Sequence, residues 1–136
     1  MGSLVVDTSA LLAVLLLESD AEEYAAALGS ATALRMAAPT WLETVMVASA
    51  RSGEAGYREV SRFISELRIE VVPADRPLVE TAFAGWLRYG KGRHPAGLNY
   101  GDCFSYALAI LSKEPLLFKG GDFLLTDVML ATVPAR

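Results

Sequence analysis

Short, wholly apolar runs alternate along the chain with longer stretches in which apolar residues recur at helical spacing, and this alternation predicts an α/β domain. Leu4-Val5-Val6 is an unbroken apolar triplet that ends at Asp7. A strand apolar at every position is covered on both faces, as in parallel sheets with helices on either side. Helices follow over residues 10–17 and 21–28, the second capped by Ser19 or Asp20, carrying Glu22 and Glu23 in its first turn and stopped by Gly29. Residues 34–38 read as a second strand closed by Pro39, and residues 41–51 as a helix capped by Thr40. Residues 53–56 break that helix before another over 57–67, where Val60, Phe63, Ile64 and Leu67 fall on one face. Residues 69–72 form a third strand, and Asp75 caps a helix over 76–89 that Gly90 ends. A helix over 100–112, a strand over 115–119, a turn at Gly120 and Gly121 and an edge strand over 128–133 complete the chain. Right-handed crossovers then give a three-layer αβα sandwich with a short, mainly parallel sheet, and residues 1–136 make one domain.

Acids mark nearly every junction between strand and helix. In a parallel sheet the following helices start at the end where the strands finish, so Asp7, Glu43, Asp102 and Asp122 are expected to face one crevice. Each also has a local, structural reading. Asp7, Thr8 or Ser9 would cap the first helix. Glu43 stands three residues after Thr40, the spacing of a capping box, and Asp102 has the same relation to Asn99. Asp127 is a further candidate that Thr126-Asp127 explains equally well as the closing of a turn. The set carries more than its members do, because carboxylates converging unpaired repel and raise one another's pKa. A divalent cation removes that conflict. Oxygen donors alone suit Mg²⁺ or Mn²⁺, completed by water and by the phosphate oxygens of a substrate. Such a site performs phosphoryl chemistry, and Thr8 and Ser9 are placed to hold a water or a phosphate oxygen there.

Composition narrows the partners. Hydrophobic residues make up 53% and charged residues 21%, with no run of like charge, which excludes a disordered chain. The net charge of −4 argues against a broad basic face. Arg88, Lys91, Arg93 and Lys119 are the cations placed nearest the crevice, where they would hold a nucleic-acid backbone. Trp41, Trp86, Tyr100, Phe104 and Tyr106 would either stack on bases or fill the core. Cys103 is the only cysteine and His94 the only histidine. An intramolecular disulfide, a thiolate metal cluster within one chain and a histidine acid–base pair are therefore excluded, Cys103 is read as packing, and the chain fits a reducing cytoplasm. Residues 10–17 are much shorter than the roughly 20 apolar residues of a membrane span.

Four stretches carry a resemblance: LVVDTSALLAVLLLE, PTWLETVMVASAR, YGKGRHPAGLNYGDCFSYALA and PLLFKGGDFLLTD. Together they resemble the PIN-domain ribonucleases, and more closely the VapC-type toxins of bacterial toxin–antitoxin pairs. The resemblance implies that Asp7, Glu43, Asp102 and Asp122 form the acidic metal-binding quartet, with Asp7 and Asp102 the most direct ligands and Glu43 and Asp122 binding directly or through water. Relatives often carry a second acid where Gly121 stands here, which makes Asp127 worth testing. It further implies Mg²⁺- or Mn²⁺-dependent endonucleolysis of RNA, a homodimer, and a cognate antitoxin that covers the acidic cleft. Two rivals stand beside it. A receiver-type phosphoacceptor is also a small doubly wound sheet, but it wants adjacent acids where Val6 precedes Asp7. A binding module would keep the fold and the acids, holding RNA or a partner without cutting.

Overall fold

The structure, a computed structural model, describes residues 2–134. Residues 1, 135 and 136 of the expected domain lie outside the described residues. Four strands, β1 (Leu4–Val6), β2 (Leu34–Ala37), β3 (Glu70–Val72) and β4 (Leu116–Leu117), form one sheet in the order β3-β2-β1-β4, parallel throughout. Five helices surround it: α1 (Thr8–Leu15), α2 (Ala21–Ser30), α3 (Ala38–Glu66), α4 (Arg76–Tyr89) and α5 (Tyr100–Ser112). Alternate strand residues feed two cores, which is what makes the sandwich three-layered. Leu4, Val6, Met36 and Leu117 pack with α1, α2 and α3, whereas Val5, Ala37 and Leu116 pack with α4 and α5.

The chain moves outward from β1 to β2 and β3, then returns to place β4 on the other side of β1. The reversal in strand order therefore lies between β1 and β4, and the crevice at their carboxyl ends is where open α/β sheets bind ligands. The first helices add little free surface to this frame. Leu11 is fully buried and Val14 and Leu15 lie against the core, leaving Leu17, 83% exposed, as the apolar residue turned outward.

Four expectations from the sequence are corrected. Thr40 does not cap α3, because the helix already begins at Ala38 with Pro39 in its first turn, a position where proline's missing N–H costs nothing. The break expected over 53–56 contracts to a kink at Gly53, whose φ of 59° and ψ of −143° suit glycine, and α3 resumes beyond it. The edge strand expected over 128–133 shrinks to a single bridge between Leu116 and Leu130, and β4 is shorter than 115–119. Side chains end that ladder: the Tyr24 hydroxyl donates to the Phe118 carbonyl at 2.8 Å, and the Lys119 N–H donates to Ser9 Oγ at 2.9 Å.

Leu117 is fully buried at the seam between β4 and the α1–α3 layer. Leu117→Ala is expected to lower unfolding free energy by about 2–5 kcal/mol through the cavity it leaves, measured by urea titration with an unchanged slope.

Candidate active site

β1 delivers Asp7 into the crevice as the last residue before α1, 5% exposed. Both of its oxygens are held. Oδ2 accepts from the Ser9 N–H at 3.1 Å and from Ser9 Oγ at 2.7 Å, and Oδ1 accepts from Ser105 Oγ at 2.5 Å. Asp7 thus caps its helix and faces the site at once, so the two readings of this residue coexist. Thr8 turns the other way. Its hydroxyl lies 3.1 Å from Glu43 Oε1, 3.0 Å from Thr44 Oγ1 and 3.2 Å from the Thr40 carbonyl.

Glu43 projects from the first turns of α3 and takes no part in a capping box. Its carboxylate lies against Gly101 in the first turn of α5, so close that a β-carbon at that position would fall 2.8 Å from either oxygen. A side chain there would require the Glu43 carboxylate to move aside. Burial raises the Glu43 pKa, the Thr8 hydrogen bond opposes the rise, and the charge of Asp7 adds to it.

Asp102 forms the capping box expected of it. The Asn99 side chain accepts from the Asp102 N–H at 2.9 Å, and Asp102 Oδ2 accepts from the Asn99 N–H at 3.1 Å. Capping does not remove it from the crevice. Burial pushes its pKa up to about 7, against the pull of the Asn99 N–H, with repulsion from Asp7 and Asp122 adding to the rise. Asp122 is exposed on the turn after β4, within hydrogen-bonding reach of Asp102. The four carboxylates of the quartet are therefore linked in space: Glu43 and Asp102 both feel Asp7, and Asp102 feels Asp122.

The remaining sequence candidates are placed less uniformly. Asp127 is held elsewhere, accepting from the Tyr106 hydroxyl at 2.8 Å and facing Arg88 at 3.7 Å. Arg88 also lies over the Tyr89 ring, and Arg93 stacks on Trp86 while donating to the Leu87 carbonyl. The Lys119 ammonium is clasped by Glu18 at 2.6 Å and Asp20 at 2.8 Å, and these bonds raise its pKa. Lys91 makes no ion pair among the described residues and lines a cleft with Phe83, Trp86 and Tyr100. Tyr100, 81% exposed, stands between that cleft and a second one that reaches Glu43 along Leu42 and Met46. Phe104 and Tyr106 are buried and Trp41 is packed against the core. Cys103 is buried and its thiol is pushed up to about 11, which leaves it a packing residue.

Ser105 was not singled out from the sequence, although it is 1% exposed and bonds directly to Asp7. The available signal was a serine three residues after Asp102, set among the mostly apolar residues of that helix.

The PIN domain family matches residues 4–128. The chain belongs to that family. Within it, this PIN domain falls among the VapC ribonucleases: it is 46% identical over 131 residues to Ribonuclease VapC30 of Mycobacterium tuberculosis, covering 96% of this chain and 100% of the relative. Among solved structures it is similar to Mycobacterium tuberculosis VapC20, a sarcin–ricin loop cleaving toxin. The TM-score is 0.79 at 18% identity, over 96% of this chain and 99% of that one. It is also similar to a chain of a toxin–antitoxin complex from Klebsiella pneumoniae, with a TM-score of 0.65 at 22% identity over 90% and 92% of the two chains. These likenesses confirm the PIN-like fold, and the family match sets aside the receiver-type phosphoacceptor.

Among the described residues no three Asp, Glu, His or Cys side chains converge into a ready-made cation cage. The donor set still fits Mg²⁺ or Mn²⁺, because Mg²⁺ keeps several waters and takes one or two carboxylates together with substrate phosphates.

The raised Asp102 pKa sets a pH dependence. Between its ordinary value of 3.8 and about 7 the folded chain holds a proton that the unfolded chain has released. The native state binds more protons across that window, so this carboxyl lowers stability progressively as pH rises through it. Asp102→Asn is therefore expected to melt higher than wild type at pH 8 in the presence of chelator, and to lose that advantage by pH 4. Thermal melts across pH check this, and an equal difference at both ends contradicts it.

Proposed function

We propose that this chain is a metal-dependent endoribonuclease, the toxin of a toxin–antitoxin pair, which hydrolyses RNA phosphodiester bonds at an acidic Mg²⁺ or Mn²⁺ site. The observation that carries the reading is the gathering of Asp7, Glu43, Asp102 and Asp122 at the strand-order reversal of a chain closely related to a ribonuclease. Asp7 and Asp102 are the ligands we assign to the cation, with Glu43 and Asp122 binding directly or through water. When bound, the ion supplies Lewis acidity toward water and toward the phosphate oxygens.

The chain's own contribution is placement. Asp7 is locked between Ser9 and Ser105, and Thr8 holds Glu43 beside it. The amino-terminal ends of α1 and α5 both open on the crevice, and their dipoles favour the anionic backbone of a nucleic acid. Lys91 and Arg93 supply the positive charge most available to RNA. Arg88 and Lys119 are engaged by acids of the chain itself, so their part in RNA binding requires those pairs to open. A cognate antitoxin covering the crevice is supported by the structural likeness to a toxin–antitoxin complex. A homodimer is supported by the exposed apolar residues Leu42, Met46, Phe83 and Leu87 on α3 and α4. An RNA substrate and the lone Cys103 support a cytoplasmic location, and among the described residues no helix is long and apolar enough to cross a membrane.

Purified protein incubated with end-labelled RNA in Mn²⁺ is expected to cut it, and both chelator and Asp102→Asn to abolish cutting. Binding without cutting by well-folded wild type establishes the non-cleaving module instead. Lys91→Ala is expected to weaken RNA binding evenly across sequences and to reduce the slope of log affinity against log salt by about 1, as for loss of one phosphate contact. An unchanged slope removes Lys91 from the RNA path.

A further inference from the structure

We propose that Ser105 is a positioning residue for this site, fixing Asp7 through Oδ1 in the orientation in which that carboxylate meets a divalent cation. The inference rests on the metal-dependent reading given above. A serine inside a helix ordinarily returns its hydroxyl to a backbone carbonyl one turn back. Ser105 instead reaches 98 positions along the chain to Asp7, across 2.5 Å, within the range of charge-assisted O–H···O⁻ bonds. The opposite oxygen of Asp7 is held by the Ser9 N–H and hydroxyl. With both ends of the carboxylate tethered, its rotation about the side chain stops, and its unused lone pairs keep a fixed direction.

Proton counting sets the sense of each bond. A carboxylate accepts and never donates, and a hydroxyl has one hydrogen to give. Ser105 therefore donates to Asp7, and Thr40 Oγ1, 3.4 Å from Ser105 Oγ, is the donor to Ser105. Thr40 is itself 1% exposed. Its carbonyl accepts from Thr44 Oγ1 at 2.8 Å, and the neighbouring Thr8 hydroxyl donates to Glu43 Oε1 at 3.1 Å. A buried hydroxyl relay thus ties α3 and α5 to the carboxylate that ends β1, and gives the buried Thr40, which caps nothing, a polar partner. Outer partners of metal-binding carboxylates act in this way, by fixing ligand direction.

Three variants test it: Ser105→Ala, Ser105→Thr and Thr40→Val. Each is compared with wild type in Mn²⁺ binding without RNA, followed by water-proton relaxation, in RNA cleavage under Mn²⁺, and in thermal melting. Ser105→Ala is expected to weaken Mn²⁺ binding and slow cleavage by about 10–100-fold, and Ser105→Thr, which keeps the hydroxyl, to recover most of both. A Ser105→Ala protein that binds Mn²⁺ and cuts like an active wild type overturns the inference and leaves the nuclease reading standing. If Ser105→Ala does not fold, Thr40→Val decides, with weaker Mn²⁺ binding in support and unchanged binding against. Folded wild type that neither binds Mn²⁺ nor cuts RNA overturns the nuclease reading, and this inference with it.

Discussion

Mutual repulsion among acids confined to one end of a sheet is the constraint on which the site depends. The strand order places the ends of β1 and β4 side by side, and the first turns of α3 and α5 lean over them. Four carboxylates brought together on such ground would push the elements apart if nothing answered their charge. The protein answers unevenly. Asp7, the most enclosed, receives three hydrogen bonds, Glu43 receives the Thr8 hydroxyl, and Asp102 receives one backbone N–H. Asp122 stays in water. Support is concentrated on the acid that ends β1, and Asp102, half-buried and thinly supported, is where a proton is retained up to about pH 7.

The same economy of partners joins stability to chemistry. Ser9 Oγ donates to Asp7 and accepts from the Lys119 N–H, so the residue that orients the first acid also anchors the segment that carries the last one. The Lys119 side chain then clasps Glu18 and Asp20 in the turn between α1 and α2, and Tyr24 reaches the neighbouring Phe118 carbonyl. The segment between β4 and Asp122 is thereby fixed from three directions although β4 contributes only two residues of ladder.

Much of this was legible in the sequence because it is written locally. The triplet before Asp7, the Asp75 cap and the Asn99–Asp102 box each lie within four residues of the structure they specify, and all appear where expected. The convergence of the four acids also followed from the direction of parallel strands. Partnerships between distant residues were hidden. Thr40 and Glu43 have the spacing of a cap, yet their hydroxyl and carboxylate face α5 and α1, because Pro39 permits the helix to begin earlier. Lys119 sits 101 residues from Glu18 and Ser105 sits 98 from Asp7, separations at which spacing carries no information.

Among the described residues, the pairing of β1 with β4 joins the first strand to the last. As the protein is synthesised, Asp7 emerges well before Asp122, and the backbone contact that brings them together cannot form until β4 has left the ribosome. Domains whose pairing is this non-local close late in folding. For a nascent chain, that places assembly of the acidic crevice after the emergence of every helix and strand between β1 and β4. The growing polypeptide passes its ribosome with its acids still apart, and the order of strands in the sheet is what delays their meeting.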